Sequence, residues 1–232
     1  MSTSHYIFGL KCPCCGTDAS LFGPIIRYSW IRCPRCSLLL YHATESLPDS
    51  LDALIMRSGP ITPSQAKRFL EVLYTQILRA VASGQDTVGI SPQTIVVFKD
   101  ETIAVVPVLP DISQDGSAIW CQQHPHYESF TVNYLAPEEF LVANEHDERS
   151  TVYMLACIFI FIVTGRSPFE ECNVAQQYVD KTLLPNEFRL PLDIPSALRP
   201  VLAMATAPKK TDRFGNVTSF LSAITAALNI DE

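Results

Sequence analysis

Asp147-Glu148-Arg149-Ser150-Thr151, followed by the apolar run Val152–Val163, is the stretch that decides the fold of this chain. The run holds twelve residues and no charge, whereas a helix that spans a bilayer needs roughly 20. An apolar run of this length that ends at Gly165-Arg166-Ser167-Pro168 is typical of a helix buried in a protein core. The sequence therefore predicts a central buried helix over residues 151–164.

Other periodic patterns lie on both sides of this helix. Leu51–Arg57 predicts a short helix, and Thr62-Pro63-Ser64-Gln65 predicts the start of a longer one that ends at Gly84. Thr62 is a suitable N-cap, and Gln65 completes a capping box with it. The remaining elements are a hairpin of Thr94–Phe98 with Ile103–Val108, an irregular polar stretch over 110–133, and helical stretches around 173–182, 196–206 and 216–229.

The composition excludes several classes of protein. The chain has 232 residues, of which 47% are hydrophobic and 18% are charged, so a disordered or fibrous protein is excluded. Its net charge of −7 argues against wrapping nucleic acid with the whole surface. Residues 1–11 show no basic segment followed by an apolar one, so the sequence predicts no signal peptide and a cytoplasmic location.

Five of the eight cysteines lie within the first 36 residues. Two C-x-x-C motifs separated by 17 residues can each turn two thiolates toward one ion, which is the pattern of a closed tetrahedral structural zinc site. Disulfides and a redox pair are the alternatives, but the cytoplasmic expectation and the tandem motifs favour zinc. Cys14 is predicted to be a spectator, and His42 is a substitute ligand that the set does not need. The predicted Zn²⁺ ligands are Cys12, Cys15, Cys33 and Cys36.

Residues 1–45 are therefore predicted to form a small all-β zinc ribbon. Tyr28, Trp30 and Arg32 alternate along one of its predicted strands, which makes an aromatic and basic face for a partner. The alternatives for this face are a small core and a nucleic-acid surface, and the ribbon's near-neutral charge disfavours nucleic acid.

The remainder of the chain resembles the C-terminal lobe of a eukaryotic-type Ser/Thr protein kinase. Tyr134-Leu135-Ala136-Pro137-Glu138 matches the kinase A-P-E signature, and the central helix with its closing Thr164-Gly165-Arg166-Ser167-Pro168-Phe169 follows in the family's order. The resemblance implies a mainly α fold with a short β-hairpin over residues 46–232. It also implies a buried ion pair between Glu138 and Arg213, the position where the family places an arginine that pairs with the A-P-E glutamate.

The same resemblance predicts altered catalytic positions. Aligned on Pro92, the catalytic-loop aspartate, lysine and asparagine correspond to Gly89, Ser91 and Thr94, and the D-F-G aspartate corresponds to Pro107. No glycine-rich loop is present, and the residues before Leu47 are too few for a nucleotide lobe. The expectation from these positions is that the chain is not an enzyme and takes neither ATP nor Mg²⁺.

The resulting hypothesis is an inactive pseudokinase that serves as a scaffold or adaptor, with Zn²⁺ as its only cofactor. Its predicted partners are other proteins or a second copy of the chain, bound at the ribbon face, at the open top of the lobe or at the activation-segment remnant Ser113–Asn133. The alternative is a nucleic-acid-binding zinc-ribbon regulator that the lobe tethers or dimerises. His124 and His126 form an H-x-H motif that is more typical of a surface loop than of a metal site.

Overall fold

The computed structural model describes residues 29–32, 35, 39–42, 49–82, 90–97, 103–105, 110–112, 118–121, 132–140, 146–168, 181 and 190–229. Its helices are α1 (Leu51–Ser58), α2 (Pro63–Ala82), α3 (Glu148–Thr164), α4 (Leu198–Ala205) and α5 (Val217–Leu228). Short 3₁₀ helices in the described part of the chain lie at Val132–Tyr134, Pro137–Phe140 and Lys210–Asp212. The fold is mainly helical and consistent with the kinase C-lobe-like class expected from the sequence.

Within the described ranges, seven short strands accompany the helices. They are β1 (Ser29–Arg32), β2 (Leu39–His42), β3 (Asp49–Ser50), β4 (Ile95–Val97), β5 (Ile103–Val105), β6 (Pro110–Ile112) and β7 (Ala118–Cys121). The strands form two antiparallel sheets, ordered β3-β4-β5 and β1-β2-β7-β6. The predicted hairpin corresponds to β4 and β5, in which Val96 lies opposite Ala104.

The stretch 110–133 is not irregular throughout, as the sequence suggested, because it contains β6 and β7. Leu40 of β2 lies opposite Cys121 of β7, and Tyr41 lies opposite Trp120. Strand β6 pairs with its neighbour β7, whereas the pairing of β7 with β2 has no local signal in the sequence, since the two strands lie far apart along the chain. The pairing also joins residues on both sides of the predicted domain boundary.

Helix α3 lies at the centre of the hydrophobic core, with every residue from Ser150 to Ile162 buried. Asp147 caps its start by accepting hydrogen bonds from the backbone N–H groups of Arg149 (2.9 Å) and Ser150 (3.1 Å). Gly165 ends the helix at a φ of 70°, in the left-handed region that favours glycine. A Cβ atom at Gly165 would also lie 3.3 Å from Cγ of Pro60, so this close approach needs glycine.

Helix α2 begins as its capping box predicts. The Thr62 N–H donates to Oε1 of Gln65 at 3.0 Å, and the Gln65 N–H donates to Oγ1 of Thr62 at 3.3 Å. Its buried side chains repeat at helical spacing and pack in the core: Ala66, Leu70, Leu73, Ile77 and Ala80. Among the described residues, no helix is both long enough and apolar enough to cross a membrane.

Candidate functional site

The A-P-E segment (residues 132–140) is joined to the loop before α5 by a buried ion pair between Glu138 and Arg213. Nη1 and Nη2 of Arg213 donate to Oε1 and Oε2 of Glu138, both at 2.8 Å. The two side chains therefore form a bidentate arginine–carboxylate pair. Arg213 is 3% exposed and also donates to the carbonyl oxygens of Ala207 (2.7 Å) and Pro208 (3.0 Å). The structure thus brings together the two residues that the resemblance paired.

Glu138 has a second partner in the hydroxyl of Ser150, which donates to its Oε1 at 2.6 Å. Burial raises the pKa of Glu138, but the hydrogen bonds from Arg213 and Ser150 outweigh burial and hold that pKa below its ordinary value. The carboxyl group is therefore charged at neutral pH and joins the A-P-E segment to both α3 and the loop before α5.

A second anchor joins the segment to α3 through Glu139, His146 and Thr151. Oε1 of Glu139 lies 2.7 Å from Nδ1 of His146, and Nε2 of the same ring lies 3.0 Å from Oγ1 of Thr151. The other oxygen of Glu139 accepts the backbone N–H of Ala136 at 2.7 Å. This anchor was missed from the sequence because Glu139 only follows the motif and His146 only precedes the helix cap.

A third anchor is Lys181, which lies at a helical position and is almost fully buried. Its Nζ donates to the carbonyl oxygens of Asn133 and Leu135, each at 3.0 Å. The ammonium also lies 5.6 Å from the ring centroid of Tyr153, and the Arg213 guanidinium lies 4.9 Å from the same centroid. No local sequence signal marks Lys181, since its partners are backbone carbonyls distant in the chain.

The turn at residues 91–94 carries two of the positions aligned with catalytic residues. Ser91 and Thr94 are both buried, and Oγ1 of Thr94 accepts the Ser91 N–H at 2.9 Å and donates to the Ser91 carbonyl at 3.0 Å. The Asp52 N–H of α1 donates to the Pro92 carbonyl at 3.2 Å, which holds the turn against α1. The turn and α1 both lie within the described residues, and three of their buried side-chain oxygens have no hydrogen-bond partner: Asp52 Oδ1, Ser91 Oγ and Gln93 Oε1.

Most of the predicted zinc and partner residues lie outside the described ranges. These are Cys12, Cys15, Cys33, Cys36 and Tyr28, together with Cys14, His124, His126, Gly89 and Pro107. Trp30 and Arg32 lie in β1, where the register sets Trp30 opposite Tyr41 and Arg32 opposite Leu39. Within the described ranges, no three histidine, cysteine or acidic residues form a group that could hold a metal.

Comparisons with known proteins identify relatives but no matching family model. The serine/threonine-protein kinase PknD of Mycobacterium tuberculosis is 29% identical over 194 residues, which cover 79% of this chain and 27% of the relative. The serine/threonine-protein kinase PknH of Mycobacterium bovis is 27% identical over 77% of this chain and 30% of the relative. PknE of Mycobacterium tuberculosis, also a serine/threonine-protein kinase, is 24% identical over 77% of this chain and 31% of the relative. The chain thus spans less than a third of the length of these curated relatives.

These relatives overturn the expectation that the chain is not an enzyme, because they are named as protein kinases. That expectation depended on the missing glycine-rich loop and on four single aligned positions, three of them placed from Pro92 alone. Such an alignment is a weak guide in a divergent segment, where a shift of a few residues changes which side chains correspond. Over about four fifths of its length the sequence is similar to the Ser/Thr protein kinases, and the mainly helical fold agrees, so the chain is protein kinase-like.

Proposed function

We propose that the kinase-like lobe recognises a protein, and that the A-P-E segment is part of the surface that does so. The observation that carries this proposal is the triple anchoring of residues 132–140 by Arg213, His146 and Lys181. In protein kinases the A-P-E motif closes the activation segment, whose ordering controls function. A segment held at three buried points presents a defined shape without a large entropy loss on binding.

The proposal is tested with an immobilised array of Ser/Thr-containing peptides probed with the purified full chain. Specific retention of a subset of peptides is expected, and the Arg213→Ala variant should lose that retention because the A-P-E segment loses an anchor. Arg166→Ala is the matched control, since the Arg166–Asp193 pair is exposed at the surface. Retention that is absent, or equal for scrambled peptides, would overturn the proposal.

A second candidate is phosphoryl transfer to serine or threonine, which the names of the relatives favour. The same array incubated with radiolabelled ATP and Mg²⁺ tests it directly. Label on the peptides that the chain retains would support transfer, whereas retention without label would limit the function to recognition, as in a scaffold or adaptor.

We further propose that Cys12, Cys15, Cys33 and Cys36 hold one structural Zn²⁺. Four thiolates satisfy the tetrahedral preference of zinc and leave no open position for catalysis. Elemental analysis of the purified chain should give about one equivalent of zinc, which falls when Cys12 and Cys15 are replaced by serine. Less than about half an equivalent in the unaltered chain would exclude the site.

A further inference from the structure

Lys181 is a buried cation on the inner side of the A-P-E segment. It is 2% exposed, and its Nζ reaches the carbonyl oxygens of Asn133 and Leu135, both at 3.0 Å. Burying an ammonium group is costly unless it is well hydrogen-bonded. The two carbonyls come from the backbone directly before Ala136-Pro137-Glu138, so the lysine ties the segment where the kinase-like signature begins.

The groups that face Lys181 belong to several parts of the fold. Tyr153 and Cys157 face it from α3, and Glu139 faces it from the 3₁₀ helix Pro137–Phe140. Arg213 stacks on the same Tyr153 ring but is paired with Glu138, and Glu139 is paired with His146. Both acidic side chains of the motif therefore have cationic or imidazole partners of their own.

We propose that Lys181 is a positioning residue, whose charge holds the backbone at 133–135 in the shape that the segment presents to a protein partner. This inference rests on the proposed protein recognition for its functional part. Its conformational part concerns the Lys181 clamp, meaning the hydrogen bonds from Nζ of Lys181 to the carbonyl oxygens of Asn133 and Leu135. That part is independent of any partner.

The charge of this clamp changes within an accessible pH range. Burial lowers the pKa of Lys181 to about 8, although Cys157 and Glu139 oppose that shift. Burial also raises the pKa of Cys157 to about 12 and the pKa of Tyr153 well above its ordinary value, so neither ionises between about pH 7 and about pH 9. The neutral amine keeps two N–H groups but loses the charge that strengthens both hydrogen bonds.

Hydrogen exchange measured by mass spectrometry tests the clamp in the full chain. Lys181→Met keeps an unbranched side chain of similar shape but removes every donor, so peptides covering 132–140 should exchange about tenfold faster or more. Lys181→Arg keeps the charge and the donors and should restore protection. Lys67→Met, which removes a surface lysine paired with Glu71, is the matched control and should leave these peptides unchanged.

The pH dependence separates a charged clamp from simple packing. After correction for intrinsic exchange, the unaltered chain should lose protection over 132–140 between about pH 7 and about pH 9, and Lys181→Arg should not. Peptides covering α5 should stay protected in both, which shows that the fold persists. The clamp hypothesis would be wrong if residues 132–140 kept their exchange protection in Lys181→Met. It would also be wrong if Lys181→Arg lost protection with rising pH as much as the unaltered chain does.

Peptide-array retention measured on the same variants separates this inference from the proposed function. Loss in Lys181→Met with recovery in Lys181→Arg would support positioning for recognition. If the unaltered chain retains no peptide, the proposed function fails, while the exchange data still decide whether the clamp exists. If retention is normal in Lys181→Met despite faster exchange, the functional part of the inference is wrong.

Discussion

The A-P-E segment and the turn at 91–94 are both buried, yet they satisfy their polar groups in different ways. Around the segment, Glu138, Glu139 and Lys181 all have partners within 3.0 Å. In the described part of the turn and of the adjoining α1, the oxygens Ser91 Oγ, Gln93 Oε1 and Asp52 Oδ1 have none. Since unpaired buried groups lower stability, the comparison indicates that the segment contributes strongly to the stability of the fold and the turn only weakly.

The largest expected effect comes from breaking the buried ion pair. Arg213→Ala leaves the Glu138 carboxylate buried without its main partner, so the free energy of unfolding should fall by about 3–5 kcal/mol. Urea unfolding measures it, with Arg166→Ala as the exposed control that should change stability by less than about 0.5 kcal/mol. Equal losses in the two variants would show that the buried pair has no special role.

A smaller loss is expected when the one satisfied side chain of the turn is changed. Thr94→Val keeps the shape of the side chain but leaves the buried N–H of Ser91 without its acceptor, at a cost of about 1–3 kcal/mol. Urea unfolding of this variant beside Thr75→Val, a change at an exposed position of α2, measures the difference. A loss no greater than in Thr75→Val would mean that the turn does not depend on this hydrogen bond.

Acid should reduce the stabilisation that the A-P-E segment contributes more than the stabilisation that the turn contributes, because Glu138 becomes protonated. The pKa of Glu138 is lower in the folded protein than its ordinary value of 4.5. The stabilisation that the charged Glu138 carboxylate contributes is therefore complete above about pH 4.5, and it is lost as the pH falls through the pKa of the folded protein. As the pH is lowered from about 6 to about 3, the urea concentration at the unfolding midpoint should therefore decrease. The decrease should be less steep in Glu138→Gln. The same slope in both proteins would remove Glu138 as the source.

The smallest effect is expected at Ser91, whose hydroxyl oxygen is buried without a partner. Ser91→Ala removes an unsatisfied group, so the stability should stay constant or rise by up to about 1 kcal/mol. Thermal unfolding of this variant is sufficient to measure the change. A clear loss of stability would show that the hydroxyl makes a stabilising contact and that the contrast between the two regions is smaller than described.

The sequence was sufficient for elements whose signals are local. The capping box at Thr62 and Gln65, the apolar α3 and the glycine at its end all depend on neighbours within one or two helical turns. The pairing of Glu138 with Arg213 came instead from the resemblance, since nothing local connects residues 75 positions apart.

What could not be predicted depends on long-range backbone contacts. Lys181 reaches carbonyl groups, which every residue carries, so no residue type marks its partners. Strand β7 pairs with β2, which lies far earlier in the chain, and β6 joins the same sheet only through β7. The enzyme prediction failed for a related reason, because single aligned positions were given more weight than the overall similarity.

The pairing of β2 with β7 has a consequence for the order in which the chain assembles on the ribosome. Leu40 and Cys121 lie opposite each other but are made roughly 80 residues apart. At usual rates of synthesis, the hairpin of β1 and β2 is complete on the order of seconds before β7 emerges. During that interval the outer edge of β2 offers unpaired backbone groups to any other nascent strand. Until β7 has been made, this edge of β2 is therefore open to pairing with the wrong chain.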